Sequence, residues 1–240
     1  MGRGFYKKTK KVKERNIYNV VKKICIQAGV VFFGSYAFNL YSRYMPNYLK
    51  NLKSKAADFD IIAINPLKAV QYIKYELKSL NILNVNYVKH AEVGEIIPVH
   101  YELKIGKETI AFIYEAKACY SYNEIYSKKD KTNIKVATID TILSFYLSFL
   151  FSNRDYYDKK RLVCLAQFLF VLQQKNRLKQ VGLLKRFSTS CYGEQETLES
   201  IRSHKTDMYN KLSKNKDKKE YDEWFLKYTP NSEKKTRKNR

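Results

Sequence analysis

The chain runs to 240 residues with 45% apolar content, enough for one large domain or two small ones around a sizeable core. Its 46 Lys and Arg outweigh 23 Asp and Glu, and the net charge of +23 exceeds what solubility requires and points to a polyanionic partner, nucleic acid or an anionic membrane surface. Cysteines without metal-ligand spacing (Cys25, Cys119, Cys164, Cys191), no apolar leader behind Met1-Gly2-Arg3, and no apolar run longer than Thr141–Phe151 exclude a zinc module, a secretory segment and a bilayer span, so a soluble protein with reduced thiols is expected.

In chain order, Lys7–Ala28 reads as a basic amphipathic helix, with Ile17, Val20, Val21, Ile24 and Cys25 at three-to-four spacing and Gly29 as its stop. Val30–Phe33 is a short buried strand. Tyr36–Tyr44 is helical, with Ala37, Leu40, Tyr41 and Tyr44 on one side and Pro46 as its stop. A polar, basic connection, Asn47–Ala57, leads to a strand, Phe59–Ile64, ended by Asn65-Pro66. Leu67–Leu80 repeats the helical spacing, and Asn81–His90 reads as a strand with loops. Ile97–Ile105 and Thr109–Tyr114, joined by Gly106–Glu108, give a hairpin signal. After about Ser121 the pattern turns helical, over Val136–Phe151, Arg161–Gln174 and Glu194–Leu212. A lysine-rich tail, Arg202–Arg240, holds one aromatic island, Tyr221–Tyr228 with Trp224. This order predicts an α+β fold, with a mixed β-sheet and flanking helices over residues 1–125 and a helical domain with a basic tail over residues 126–240. The 21 Tyr, 13 Phe and one Trp stand among basic residues and can stack exposed bases, which favours nucleic acid as the polyanion. His90, His100 and His204 are separated and read as structural or surface residues.

One constellation carries chemistry. Asp58-Phe59-Asp60 sits at the head of the second strand, where residues two apart share a face. Two carboxylates side by side repel unless a divalent cation lies between them, and magnesium prefers carboxylate and phosphate oxygens. Upstream, Phe33-Gly34-Ser35 is a turn into a helix, which offers backbone N–H groups to phosphates. Together the two features suggest metal-dependent nucleotidyl transfer.

The strings Phe33-Gly34-Ser35-Tyr36-Ala37-Phe38-Asn39, Asp58-Phe59-Asp60-Ile61, Ala118–Asn123, Ile139–Leu147, Cys191–Gln195 and Phe225–Tyr228 together resemble the poly(A) polymerase catalytic subunits of large DNA viruses. These belong to the nucleotidyltransferase superfamily that includes DNA polymerase β. The resemblance implies a nucleotidyltransferase-type sheet followed by a helical domain. It also implies a template-independent polynucleotide adenylyltransferase, in which an RNA 3′ hydroxyl attacks the α-phosphate of ATP and pyrophosphate leaves. Asp58 and Asp60 would hold two Mg²⁺ or Mn²⁺ ions, and Gly34 and Ser35 would contact the β- and γ-phosphates. Lys131 and Lys135 are assigned to the same phosphates on position and charge alone. A homodimer, or a processivity or cap-modifying subunit, is the implied partner. The implied location is the cytoplasm, in a viral factory or virion.

The superfamily's third acid is the departure. It belongs on a later strand beside the first two, yet Thr109–Ala116 places Ala111, Phe112 and Ile113 at the central positions. Glu115 is taken as the third catalytic carboxylate, with Glu102 as another candidate. Two alternatives stay open. One is a catalytically impaired partner that kept the fold for RNA binding or dimerisation. The other is a nucleotidyltransferase acting on a tRNA end or a protein hydroxyl.

Overall fold

The computed structural model describes residues 10–45, 58–152, 154, 157–216 and 218–225. The first helix before Lys10, the stop at Pro46, the connection Asn47–Ala57 and the tail from Leu226 lie outside the described residues. In chain order the elements are α1 (Lys10–Gln27), β1 (Val31–Phe33), α2 (Gly34–Tyr41), β2 (Phe59–Ala63), α3 (Pro66–Ser79), β3 (Val85–His90), β4 (His100–Ile105) and β5 (Glu108–Glu115). Then follow β6 (Tyr120–Ser127), β7 (Thr132–Ala137), α4 (Ile139–Ser152), α5 (Lys159–Lys175), β8 (Cys191–Tyr192), α6 (Leu198–Leu212) and α7 (Lys219–Trp224).

The strands form one mixed sheet in the order β3-β4-β5-β2-β1-β7-β6-β8. β2 with β5 and β1 with β7 are parallel; the other neighbours are antiparallel. Side chains alternate between faces, and residues paired across strands share one. On the face carrying Phe59 and Ile61 lies α1, whose Tyr18 stacks on Phe59 with ring centroids 4.4 Å apart. On the opposite face lies α4, whose Phe145 stacks on Phe33 at 4.5 Å, while Phe168 of α5 meets Phe38 of α2 at 4.3 Å. Each such buried aromatic contributes roughly 1.5–3 kcal/mol. The face carrying Asp60 is therefore the face covered by α4 and α5.

Local signals fix the helix starts. Asn65 accepts from the Lys68 N–H at 2.9 Å and Pro66 opens α3 with its φ already helical, so the dipeptide that ends the strand also begins the helix. Asp158 caps α5 by accepting from the Arg161 N–H at 3.1 Å. Lys22 of α1 is buried and pairs with Asp130 at 2.8 Å, tying the first helix to the turn between β6 and β7.

Three expectations are corrected. The boundary near residue 125 falls inside β6: β6 and β7 form a hairpin that extends the sheet to Ala137 and pairs with β1, and α4 begins at Ile139 rather than Val136. The hairpin escaped notice because its alternation runs through Tyr, Asn and Lys, which carry weak apolar contrast. The thiols are not all reduced, since Cys119 and Cys191, 72 residues apart, are joined in a disulfide where β8 pairs with β6. Cys25 and Cys164 are free. Residues 194–197 precede α6 instead of belonging to it, because Thr197 caps it by accepting from the Ser200 N–H at 3.1 Å.

Candidate active site

β1 enters α2 directly, with Gly34 as the first helical residue at φ +58°, in the left-handed region that favours glycine. The antiparallel pairing of β1 with β2 sets Phe33 opposite Asp60, which brings Gly34 against the Asp60 side chain. A Cβ at Gly34 would stand 1.8 Å from Asp60 Oδ2. No other residue fits there unless the acid moves. The Ser35 backbone N–H donates to the Asp60 carboxylate, so the turn and the second acid form one unit.

The two acids are electrostatically unfinished. Burial pushes the Asp60 carboxyl well above the usual carboxylate range, and the Asp58 charge pushes it further. Burial also raises Asp58, against the opposing pull of Arg161. Asp58 precedes β2 immediately, two residues from Asp60, and its charge acts on the Asp60 carboxyl.

Two further residues complete the site. Arg161, in the first turn of α5, donates from Nη2 to Ser35 Oγ at 3.1 Å and acts favourably on both acids. Tyr146 of α4 is only 3% exposed, and its hydroxyl has no hydrogen-bond partner among the described residues. Burial raises its pKa, with a further push from Asp60 and an opposing pull from Arg161, which puts the phenol beside both. Sequence reasoning missed these two. The one available signal was an arginine at the start of a charge-free helical run, and it reads equally as a helix boundary.

The third-acid position is apolar. β5 runs parallel to β2 with Phe112 opposite Asp60. Glu115 does not join the pair: it lies opposite Ala63, three residues further on, or roughly 10 Å along the strand, and by alternation faces the other side of the sheet. Glu102 shares the acids' face, because it pairs with Phe112, but it stands two strands from Asp60, roughly 10 Å away. Its oxygens are engaged by Thr109 at 2.5 Å, Lys104 at 3.0 Å and His90 at 3.2 Å. Burial tends to raise this carboxyl, yet those three donors hold it below the usual range.

The two lysines are not brought to the turn. Lys131 is exposed in the tight turn before β7, at φ +54°. β7 runs parallel to β1, so Lys131 lies beyond the end of the sheet opposite to Gly34. Lys135 pairs with Val31, and its Nζ lies 5.3 Å from the Tyr122 ring and 5.5 Å from the Tyr192 ring. That is a cation held between aromatic faces.

The donor set suits a hard divalent cation. Two crowded carboxylates beside an unpartnered buried hydroxyl suit such an ion, which commonly takes one or two protein carboxylates. Among the described residues there is no group of three or more His, Cys, Asp or Glu that could hold a metal ion.

Neither a protein-family model nor a curated protein matches the sequence. Among solved structures, the chain is similar in fold to the Megavirus polyadenylate synthase, with a TM-score of 0.64 over 88% of this chain at 13% identity. The chain covers 44% of that protein, less than half its length. The sheet with flanking helices and a helical C-terminal part is thus the fold of a viral polyadenylate synthase, as the sequence resemblance leads one to expect. Among the described residues no helix is long and apolar enough to cross a membrane.

Proposed function

We propose that this chain is a nucleotidyltransferase of the poly(A) polymerase type, which binds ATP as a divalent-metal complex and transfers adenylate to an RNA 3′ end. The reading rests on the packing of Gly34 against Asp60, which joins a phosphate-binding turn to a carboxylate pair. The similarity in fold to a polyadenylate synthase supports the choice of ATP and RNA.

Asp58 and Asp60 would hold the ion that accompanies the triphosphate; when bound, it neutralises phosphate charge and stabilises the leaving pyrophosphate. Residues of the chain do the rest. The glycine at position 34 lets the Asp60 carboxylate close on the turn, and the N–H groups that open α2, other than the Ser35 N–H held by Asp60, would be offered to phosphate oxygens. The Tyr146 hydroxyl offers a buried donor beside Asp60. The cover of α4 and α5 over this face keeps bulk water from competing with the acceptor hydroxyl.

A second reading is favoured by Phe112. With an apolar side chain opposite Asp60, nothing on β5 lowers the pKa of the attacking hydroxyl. The module would then bind metal and nucleotide, transfer poorly, and serve as an RNA-binding partner. Incubation with ATP, Mg²⁺ or Mn²⁺ and a labelled RNA separates the two. Metal-dependent 3′ extension that disappears in Asp58→Asn and Asp60→Asn supports transfer. Nucleotide binding without extension, with extension gained in Phe112→Asp, supports the second reading. Extension that persists in both Asp variants removes the metal assignment.

A further inference from the structure

Arg161 reaches the phosphate turn from a helix 126 residues away in sequence. Its guanidinium carries five donors, one of which reaches Ser35 Oγ, a neutral acceptor, at 3.1 Å. Hydroxyl recognition does not explain an arginine here; the two carboxylates beside it do. With both carboxylates ionised, one guanidinium leaves the site net negative. A divalent ion makes it net positive, and then only a further anion restores balance. The unpartnered Tyr146 hydroxyl lies beside both Asp60 and Arg161, so the space among these residues has a donor awaiting an acceptor. The Asp158 cap fixes the backbone of the first turn of α5, so exchange between partners falls to the side chain of Arg161.

We propose that Arg161 is an exchangeable counter-ion: it balances Asp58 and Asp60 in the empty site and passes to the triphosphate when a metal–nucleotide complex binds. This rests on the reading of Asp58 and Asp60 as the metal site, and adds that α5 senses nucleotide through one side chain. The exchange makes an unusual demand. Removing the guanidinium must help the metal alone, because a competing cation is gone, and must hurt the metal–nucleotide complex, because a phosphate partner is gone. A residue that merely braces α5 against the sheet would move both affinities together.

The test uses the full chain with Arg161→Gln and Arg161→Lys. Free Mn²⁺ is followed by electron paramagnetic resonance, and the Mn²⁺ complex of a non-hydrolysable ATP analogue by titration calorimetry. For Arg161→Gln, Mn²⁺ alone binds severalfold tighter and the Mn²⁺–nucleotide complex on the order of tenfold to a hundredfold weaker. Arg161→Lys, keeping the charge without the planar fork, falls between. Shifts of both affinities in the same direction, or in neither, overturn the proposal while leaving the metal site standing. Absence of Mn²⁺ binding in the wild-type chain, or binding that survives Asp58→Asn/Asp60→Asn, overturns the metal reading and this inference with it.

Discussion

Two carboxylate clusters share one face of the sheet and are built on opposite terms. Glu102 on β4 is finished: Thr109, Lys104 and His90 satisfy it, and its carboxyl is held below the usual range. Asp58 and Asp60 at the head of β2 are half-buried two residues apart, and desolvation pushes both carboxyls up. The first arrangement stabilises the folded chain by itself. The second opposes folding, the balance that the proposed binding site would call for and a structural ion pair would not. The contrast also explains why Glu102 is a poor third metal ligand, since recruiting it would break three existing bonds.

The contrast can be broken most forcefully at Gly34. Gly34→Ala places a methyl group on the Asp60 carboxylate and a side chain at φ +58°. Left-handed backbone alone costs alanine roughly 1–2 kcal/mol, and displacement of the acid adds to it. Nucleotide affinity measured by calorimetry is expected to fall on the order of a hundredfold or more, with a lowered melting temperature.

Asp60→Asn sharpens the comparison because its two effects have opposite signs. Metal-dependent nucleotide binding is lost, while metal-free stability rises by about 1–2 kcal/mol, because asparagine needs neither a desolvated charge nor a proton taken up on folding. Denaturant melts with and without Mg²⁺ read both effects. The pH dependence follows. The folded protein keeps a proton on this acid to higher pH than the unfolded chain does. Metal-free stability therefore declines as pH rises above about 4, and the asparagine variant flattens that slope.

Glu102→Gln is the mirror experiment. It weakens bonds to Lys104 and His90, costs about 1–2 kcal/mol, and leaves nucleotide affinity unchanged. Its sign with pH is reversed. The stabilisation is full above the ordinary glutamate range and is lost as pH falls through the depressed value, so the variant loses acid sensitivity in a melt series from neutral to acidic pH. The smallest effect is at Lys131, an exposed turn residue away from Gly34, whose replacement by alanine leaves ATP affinity within error.

The parts of this site that were legible in the sequence are those fixed within a few residues. Strand alternation puts Asp58 and Asp60 together, and the glycine–serine turn stands at the end of an apolar run. Their mutual approach needs the pairing of Phe33 with Asp60, which spacing alone does not reveal. Glu115 misled because the face of a strand residue depends on register: the pairing of Asp60 with Phe112 leaves odd-numbered residues of β5 on the far side. Tyr146 and Arg161 were out of reach. Each sits in a helix whose spacing announces only an apolar face, and tertiary packing of α4 and α5 over the sheet decides which residue meets the acids. The disulfide was hidden for the same reason, its halves meeting only because β8 returns to β6.

The central claim is that an acid pair apposed to a glycine turn holds a metal–nucleotide complex, and thermal unfolding with ATP tests it directly. With Mg²⁺, ATP at a hundred times its dissociation constant should stabilise the wild-type chain by about 2.7 kcal/mol, and the gain should vanish with EDTA or in Asp60→Asn. Equal stabilisation by ATP with and without Mg²⁺, or an undiminished gain in Asp60→Asn, would contradict the account.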